Sequence, residues 1–113
     1  MNFEMFNYIK KKINKKNLYF LYDLGNRSIR HKDVYSDVLK FGKYIKHIHL
    51  KDKNQYGENV MIGKGKVNFL QAFKAIKIIY SKNISFAFEN NRGKNAIESA
   101  KKNIFFFKKL FKY

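Results

Sequence analysis

The chain has 113 residues, and its 25 Lys and Arg against 8 Asp and Glu give a formal net charge of +17. This length allows one domain with a modest core, and the 45% hydrophobic and 18% aromatic fractions exclude a disordered tail. The absence of cysteine excludes disulfides and thiolate metal ligands, and no apolar run approaches the roughly 18 residues of a membrane span.

Helix and strand patterns alternate along the first half of the chain. Residues 3 to 16 carry apolar side chains at helical spacing, which predicts a helix. The aromatic and branched run "NLYFLYDLGN" predicts a strand that ends in a turn at Gly25-Asn26. A short helix is predicted over residues 33 to 44, followed by a second strand in "YIKHIHLKD" and a loop through "GKGKVN".

The second half continues the alternation. Asn68 is predicted to cap a helix whose apolar face is formed by Phe69, Phe73, Ile76 and Tyr80. A third strand is predicted in "ISFAFEN". The last helix has an apolar stripe predicted to pack on the sheet, formed by Ile97, Ala100, Ile104, Phe107 and Phe111. Strands separated by helices favour parallel pairing, so this order predicts an α/β fold.

Each predicted strand is apolar for most of its length and ends in a polar residue, namely Asp23, His49 and Glu89. The carboxyl ends of parallel strands lie side by side, on the face where such folds place their chemistry. Strand periodicity puts Glu89 on the face of the small residues Ser85 and Ala87, pointing into a crowded interior. A buried charge is costly unless it is paired or metal-bound, so a shared divalent ion would satisfy all three polar side chains.

Each of these signals also has an ordinary structural interpretation. An Asp before Leu-Gly-Asn is often a turn former, and a Glu at a strand end often pairs with a helix N-terminus. A histidine within a strand is usually a packed structural residue, which is our interpretation of His47. The recurrence of polar residues at three consecutive strand ends favours a site that includes His49.

Four motifs follow one another along the chain: "YDLGN", "HIHLKD", "IGKGKVNF" and "FAFENNRG". Their order and spacing resemble the sugar phosphate isomerase/epimerase family with the xylose isomerase-like TIM barrel, which also contains AP endonucleases of the endonuclease IV type. The resemblance covers nearly the whole chain. It implies that residues 1–113 are a partial domain of about three βα units, from the C-terminal part of a TIM (β/α)8 barrel.

The resemblance also implies a chemistry for the three strand ends. Asp23, His49 and Glu89 would be ligands of a divalent metal ion, and this mixture of oxygen and imidazole donors suits Mn, Zn, Co or Mg. Glu89 would double as the catalytic acid/base, moving a proton next to a carbonyl through an enediolate. The implied substrate is a small sugar or sugar phosphate.

Four further residues are implied to lie near the substrate. Asn26 would orient the neighbouring carboxylate or contact the substrate. Arg27 and Arg92 would clamp a phosphate or sugar acid, and the alternative is that both are surface cations. Lys51 and Asp52 match the Lys-Asp pair of the family, with Lys51 as a substrate contact; the alternative is a solvated loop.

A complete barrel of this type has eight strands and roughly 250 residues. The family's other metal-binding glutamate belongs to a strand that would precede the first helix, and this sequence does not contain it. Open sheet edges also need covering. We therefore expect a C-terminal piece of a truncated or split barrel, which depends on a separate chain for the N-terminal strands. Catalysis by the piece alone is not expected.

Two other functions remain as alternatives to a metal-dependent isomerase or epimerase. An AP endonuclease-like DNA repair fragment would agree with the charge of +17, but no histidine follows Asp52 closely enough to build a multi-metal nuclease site. A non-catalytic basic binding module is the other. We attribute most of the charge to compositional bias and solvated helix faces, and expect a cytoplasmic protein with neither nucleic acid nor membrane as its partner.

Overall fold

The structure is a computed structural model that describes residues 1–80, 82–90 and 93–112. The predicted alternation of helices and strands is confirmed, with three additions: a short helix after the first strand, a 3-10 turn before the second strand and a small antiparallel ribbon. In chain order the elements are α1 (Phe3–Ile13), β1 (Phe20–Asp23), α2 (Leu24–Arg30), α3 (Val34–Phe41), a 3-10 turn (Gly42–Tyr44), β2 (Ile45–Leu50), β3 (Asp52–Lys53), β4 (Asn59–Val60), α4 (Phe69–Ile79), β5 (Ser85–Phe88) and α5 (Ala96–Phe111).

Strands β1, β2 and β5 form a parallel sheet in that order, as the sequence predicted. Asp23 lies beside His49, and His49 lies beside Ala87. The amide of Glu89 donates to the carbonyl of Leu50 at 3.0 Å, so Glu89 directly follows the paired part of β5. The register therefore brings the three polar strand ends to one edge of the sheet.

The hydrophobic core lies on one face of this sheet, under helices α3 and α4. Tyr22, Ile48, Phe41 and Ile76 are completely buried there. The rings of Phe20 and Phe41 stack with their centroids 4.0 Å apart. Helices α3 and α4 are amphipathic, and each buries one apolar stripe against the sheet. This packing fixes which face of the strands is covered.

The opposite face of the sheet is open in the described part of the chain. Leu21 on this face exposes 47% of its surface, and Ser85 is also exposed. The expectation that Glu89 points into a crowded interior is wrong for this chain, because its side chain is 54% exposed. In a closed barrel this face would look toward the other strands, so crowding of Glu89 needs strands from outside this sheet.

The predicted stripe of α5 is only partly correct. Phe107 and Phe111 pack against the core, but Ile97 is 71% exposed and Ile104 is 47% exposed. Ala100, the remaining member of the stripe, is also exposed. The helix is instead rotated so that a more polar set is covered, formed by Ser99, Asn103, Phe106, Phe107, Leu110 and Phe111. Ala100 and Ile104 line one groove with Phe88 and Glu89 at the end of β5.

Two further expectations are settled by the helix ends. Asn68 caps α4 as predicted, with its side-chain oxygen accepting from the amide of Gln71 at 3.1 Å. The predicted turn at Gly25-Asn26 is wrong, because both residues lie in α2. Tyr80 follows α4 and is 44% exposed, although its ring packs edge-on against Phe111.

Among the described helices, none combines the length and apolarity that crossing a bilayer requires.

Candidate metal centre

Asp23 ends β1 and caps the helix that follows it. Its Oδ1 accepts from the backbone amide of Asn26 at 2.9 Å, and its Oδ2 accepts from the side-chain amide of Asn26 at 3.0 Å. Asp is among the preferred residues at this position because its carboxylate accepts from the free amides of a first helical turn. The double contact with Asn26 fixes the carboxylate with Oδ2 toward the ends of the neighbouring strands.

His49 and Glu89 come from the next two strands and face the same point. Nδ1 of His49 lies 2.9 Å from Oε2 of Glu89 and 3.9 Å from Oδ2 of Asp23. The three side chains each offer one donor atom, and these atoms all lie within 4.8 Å of one another. The structure thus brings together the three residues that the sequence singled out.

Lys51 is the fourth member of this cluster. Its ammonium lies 3.1 Å from Oδ2 of Asp23 and 2.9 Å from Oε2 of Glu89, and the side chain is only 9% exposed. The alternative of a solvated loop is therefore wrong for Lys51. Its stem runs over Gly25, where a β-carbon would come within 2.8 Å of Lys51 Cγ. Glycine at position 25 is what leaves room for the lysine.

Hydrogen bonds and opposite charges within the cluster shift the pKa values of Glu89 and Lys51. The hydrogen bond from Lys51 is the main reason why the pKa of Glu89 lies below its ordinary value. Burial acts to lower the pKa of Lys51, but hydrogen bonds to Glu89 and Asp23, and their charges, outweigh it and raise that pKa. Glu89 is consequently ionised at neutral pH and able to accept a proton.

The donor set fits a divalent metal ion. Carboxylate oxygens and imidazole nitrogens are ligands of Mn, Zn, Co and Mg, and these metals differ in how strongly they prefer each type. Metal–ligand bonds near 2.1 Å allow one ion to join donor atoms up to about 4 Å apart. The observed spacing of up to 4.8 Å requires only small side-chain movements for Asp23, His49 and Glu89 to share an ion.

Asp52 has a structural part in the site that the sequence analysis missed. It is 1% exposed, and its carboxylate accepts from the amides of Gly63 at 2.8 Å, Gly65 at 2.9 Å and Val67 at 3.2 Å. The prediction of a solvated loop is therefore also wrong for Asp52. The glycine-rich motif "GKGK" wraps around this carboxylate, so the residue after Lys51 is anchored at the end of β2.

Arg27 is not part of the cluster, and the expectation that it clamps a substrate anion is corrected. Its guanidinium forms a paired contact with Asp37, with Nε 2.6 Å from Oδ2 and Nη2 2.9 Å from Oδ1. It also donates to the carbonyl of Met1 at 2.7 Å and lies 4.6 Å from the ring centroid of Phe41. The side chain is 9% exposed, so Arg27 is neither a surface cation nor free to bind a ligand.

The pair between Arg27 and Asp37 predicts acid sensitivity. Burial acts to raise the pKa of Asp37, but hydrogen bonds from Arg27 and Tyr22 outweigh it, and the folded pKa lies below 3.8. The stabilisation that ionised Asp37 contributes is complete above the pKa of this residue in the unfolded chain. It is lost as the pH falls through the lower pKa of the folded chain. We expect the free energy of unfolding to fall as the pH drops below about 5, and to fall less steeply in Asp37→Asn. Urea titrations at several pH values measure this, and an equal slope in Asp37→Asn and wild type would contradict it. Glu98→Gln is the control.

The remaining predicted residues divide into two groups. His47 lies one pair deeper than His49 and is only partly buried, with Nδ1 2.6 Å from the hydroxyl of the exposed Ser85, so its interpretation as a packed residue stays a prediction. It is not among the three residues that could share an ion. Arg92 lies outside the described residues. Asn26 and Lys51 both contact Asp23, and their roles toward a substrate stay predictions.

Comparisons with known proteins agree with this arrangement. The family model described as xylose isomerase-like TIM barrel matches residues 1–110. A solved structure titled as a D-tagatose 3-epimerase-like protein superposes with a TM-score of 0.72 and 26% identity, over 96% of this chain and 42% of that one. An L-ribulose 3-epimerase superposes with a TM-score of 0.67 and 17% identity, over 91% of this chain and 33% of that one. No curated protein sequence matches.

The extent of these matches defines the relationship. The chain spans about a third to two fifths of the length of the solved structures that it resembles. Its parallel sheet of three strands corresponds to part of such a barrel. Since the family model covers almost all of the residues and the fold agrees with it, the chain belongs to the xylose isomerase-like TIM barrel family.

Proposed function

We propose that this chain forms one wall of a metal-dependent sugar or sugar phosphate isomerase or epimerase. The observation that carries the proposal is the convergence of Asp23, His49 and Glu89 at the strand ends of a barrel from this family. The similarity to a D-tagatose 3-epimerase-like protein supports a sugar as the substrate class. The ion would be held by these three residues, and additional ligands would come from outside this sheet.

Each residue of the cluster has its own role in the proposed reaction. When bound, the metal ion supplies polarisation of the substrate's oxygens. Glu89 accepts a proton from the carbon next to the carbonyl and leaves an enediolate, since Glu89 is ionised and half exposed at the open face. In an isomerase, Glu89 would return the proton to the neighbouring carbon, and in an epimerase a second carboxylate would supply a proton from the opposite face. Asn26 holds the carboxylate of Asp23 in place through its two hydrogen bonds. Lys51 keeps the two carboxylates from repelling each other.

We further propose that the active form includes the remaining strands of a barrel, carried by another polypeptide or chain segment. The open face around Leu21 and the exposed apolar side chains of Phe88 and Ile104, which line one groove at the end of β5, support this. Exposed apolar residues that cluster on a sheet edge are typical of surfaces that another element covers. An opposing wall would also provide the second carboxylate that proton transfer on the far side of the substrate requires.

Metal binding tests the first part of the proposal. We expect Asp23→Asn, His49→Gln and Glu89→Gln each to weaken Mn²⁺ binding by about tenfold or more, because each replaces a carboxylate or imidazole ligand with a neutral amide, which binds the ion more weakly. Isothermal titration of the full chain measures the affinity. The matched controls are Asp33→Asn, which also caps a helix, His47→Gln on the same strand, and Glu98→Gln. Equal losses in the ligand variants and their controls would contradict the proposed site.

Proton exchange tests the second part. The chain is mixed with Mn²⁺ and with a polypeptide carrying the first five βα units of a relative from this family. We expect deuterium from the solvent to enter a ketose next to its carbonyl, as followed by NMR, and Glu89→Gln to abolish the incorporation. If the mixture binds metal but cleaves DNA at an abasic site and leaves sugars unchanged, the endonuclease alternative replaces this proposal.

A further inference from the structure

One oxygen of each carboxylate at the candidate metal site already has two polar neighbours, and His49 donates to Glu89 when its Nδ1 carries the proton. Oδ2 of Asp23 accepts from the side chain of Asn26 at 3.0 Å and from the ammonium of Lys51 at 3.1 Å. Oε2 of Glu89 lies 2.9 Å from the same ammonium and 2.9 Å from Nδ1 of His49. A carboxylate oxygen has two lone-pair sites, so a metal ion that binds either oxygen displaces one of these donors.

Lys51 is the donor that the two oxygens have in common. Its departure frees a lone pair on Asp23 and one on Glu89 at the same time, whereas Asn26 and His49 each free only one. Its positive charge also repels an arriving cation at this short distance. We propose that Lys51 is a built-in counter-cation, which neutralises Asp23 and Glu89 in the metal-free chain and competes directly with the metal ion.

The chain holds Lys51 in this position by packing as well as by charge. The side chain is 9% exposed, and its stem fills the space above Gly25. The buried carboxylate of Asp52 anchors the next residue through hydrogen bonds to the loop amides. An exposed lysine keeps its ammonium in water and moves freely, but this one is directed at two carboxylates. The competition between Lys51 and the metal ion therefore follows from how the chain folds at the end of β2.

The proposal rests on the metal site proposed above, and the variant Lys51→Met separates the two. Methionine keeps an unbranched stem of similar size without the ammonium. We expect Mn²⁺ to bind on the order of tenfold more tightly in isothermal titrations of the full chain. We also expect a lower Tm without metal, because two carboxylates lose their shared cation, and a larger rise in Tm on adding Mn²⁺. A residue that merely supports the metal ligands would give weaker binding.

Two further variants serve as control and as second test. Lys53→Met removes the same charge two residues away, where the ammonium donates to the carbonyl of Gly57 at 2.9 Å, and should leave the Mn²⁺ affinity unchanged. Gly25→Ala keeps every charge but pushes the stem of Lys51 aside, and should tighten Mn²⁺ binding in the same direction as Lys51→Met. Gly25→Ala decides the matter if Lys51→Met does not fold without metal.

The outcomes distinguish the failure of each proposal. Unchanged or weaker Mn²⁺ binding in Lys51→Met, with binding still lost in Asp23→Asn, overturns the competition and leaves the metal site intact. Unchanged binding in Asp23→Asn and Glu89→Gln overturns the metal site, and the competition with it. Binding that appears only in Lys51→Met supports the competition most strongly, because the lysine then excludes the ion from the wild-type site.

Discussion

Replacing Asp37 by alanine is expected to destabilise the fold by about 3 to 5 kcal/mol, because it leaves a buried arginine without its partner. The carboxylate of Asp37 accepts two hydrogen bonds from Arg27 and a third, at 2.6 Å, from the hydroxyl of Tyr22. Tyr22 is completely buried, and Arg27 is stacked among the rings of the core. Both side chains are at least nine-tenths buried, so the loss of Asp37 leaves their polar groups with little access to water.

The matched control for this variant is Asp33→Ala, four residues earlier. Asp33 caps the same helix, and its exposed carboxylate accepts from the amide and the hydroxyl of Ser36. The loss of such a cap costs about 1 kcal/mol. Urea denaturation followed by circular dichroism gives both free energies of unfolding. If Asp37→Ala costs no more than Asp33→Ala, the contacts of Asp37 with Arg27 on α2 and Tyr22 on β1 do not stabilise the packing of α3.

The position of the candidate site could be predicted from the sequence because it depends on only two features, the polar residue at the end of each apolar strand and the parallel pairing of the strands. The apolar strands end at Asp23, His49 and Glu89, and parallel pairing places such ends together whatever the details of the loops. The structure has these ends at one edge of the sheet. The chemistry assigned to them stays a prediction, since grouping the residues does not by itself show an ion or a reaction.

Other features depend on contacts between distant residues, which local pattern does not reveal. Gly25-Asn26 is typical of a turn, but the carboxylate of Asp23 accepts from the amide of Asn26 and starts a helix there. Lys51 is predicted from the sequence as a substrate contact or as part of a solvated loop, but its burial depends on the absence of a side chain at Gly25, 26 positions earlier. Arg27 was misassigned for the same reason, because its partner Asp37 lies ten residues away across a helix boundary.

The stripe of α5 illustrates a different limit. A regular apolar pattern predicts which helix face will be covered, but the described part of the chain covers only the end with Phe107 and Phe111. Ile97 and Ile104 continue the pattern and are exposed. The pattern agrees with our proposal that further strands of a barrel cover this surface.

The second large effect is expected at Gly65, in the loop that wraps around Asp52. A β-carbon at this position would overlap Oδ1 of Asp52 and the backbone carbonyl of Lys53. The carbonyl belongs to the backbone and cannot turn aside as a side-chain end could. We therefore expect Gly65→Ala to break the hydrogen bonds of the buried carboxylate and to cost about 3 kcal/mol or more. The cost arises from lack of space, since Gly65 is not among the residues with positive φ.

Gly57→Ala provides the comparison that isolates this cause. Gly57 has φ +81°, so alanine is strained there, but a β-carbon would meet nothing closer than Ile29 at 3.5 Å. Left-handed backbone strain alone costs roughly 1 to 2 kcal/mol for a residue other than glycine. Thermal and urea unfolding of both variants should place Gly65→Ala well below Gly57→Ala in stability. The reverse order would show that the loop can move away from Asp52, and Lys51 would then lack the anchor that directs its ammonium at Asp23 and Glu89.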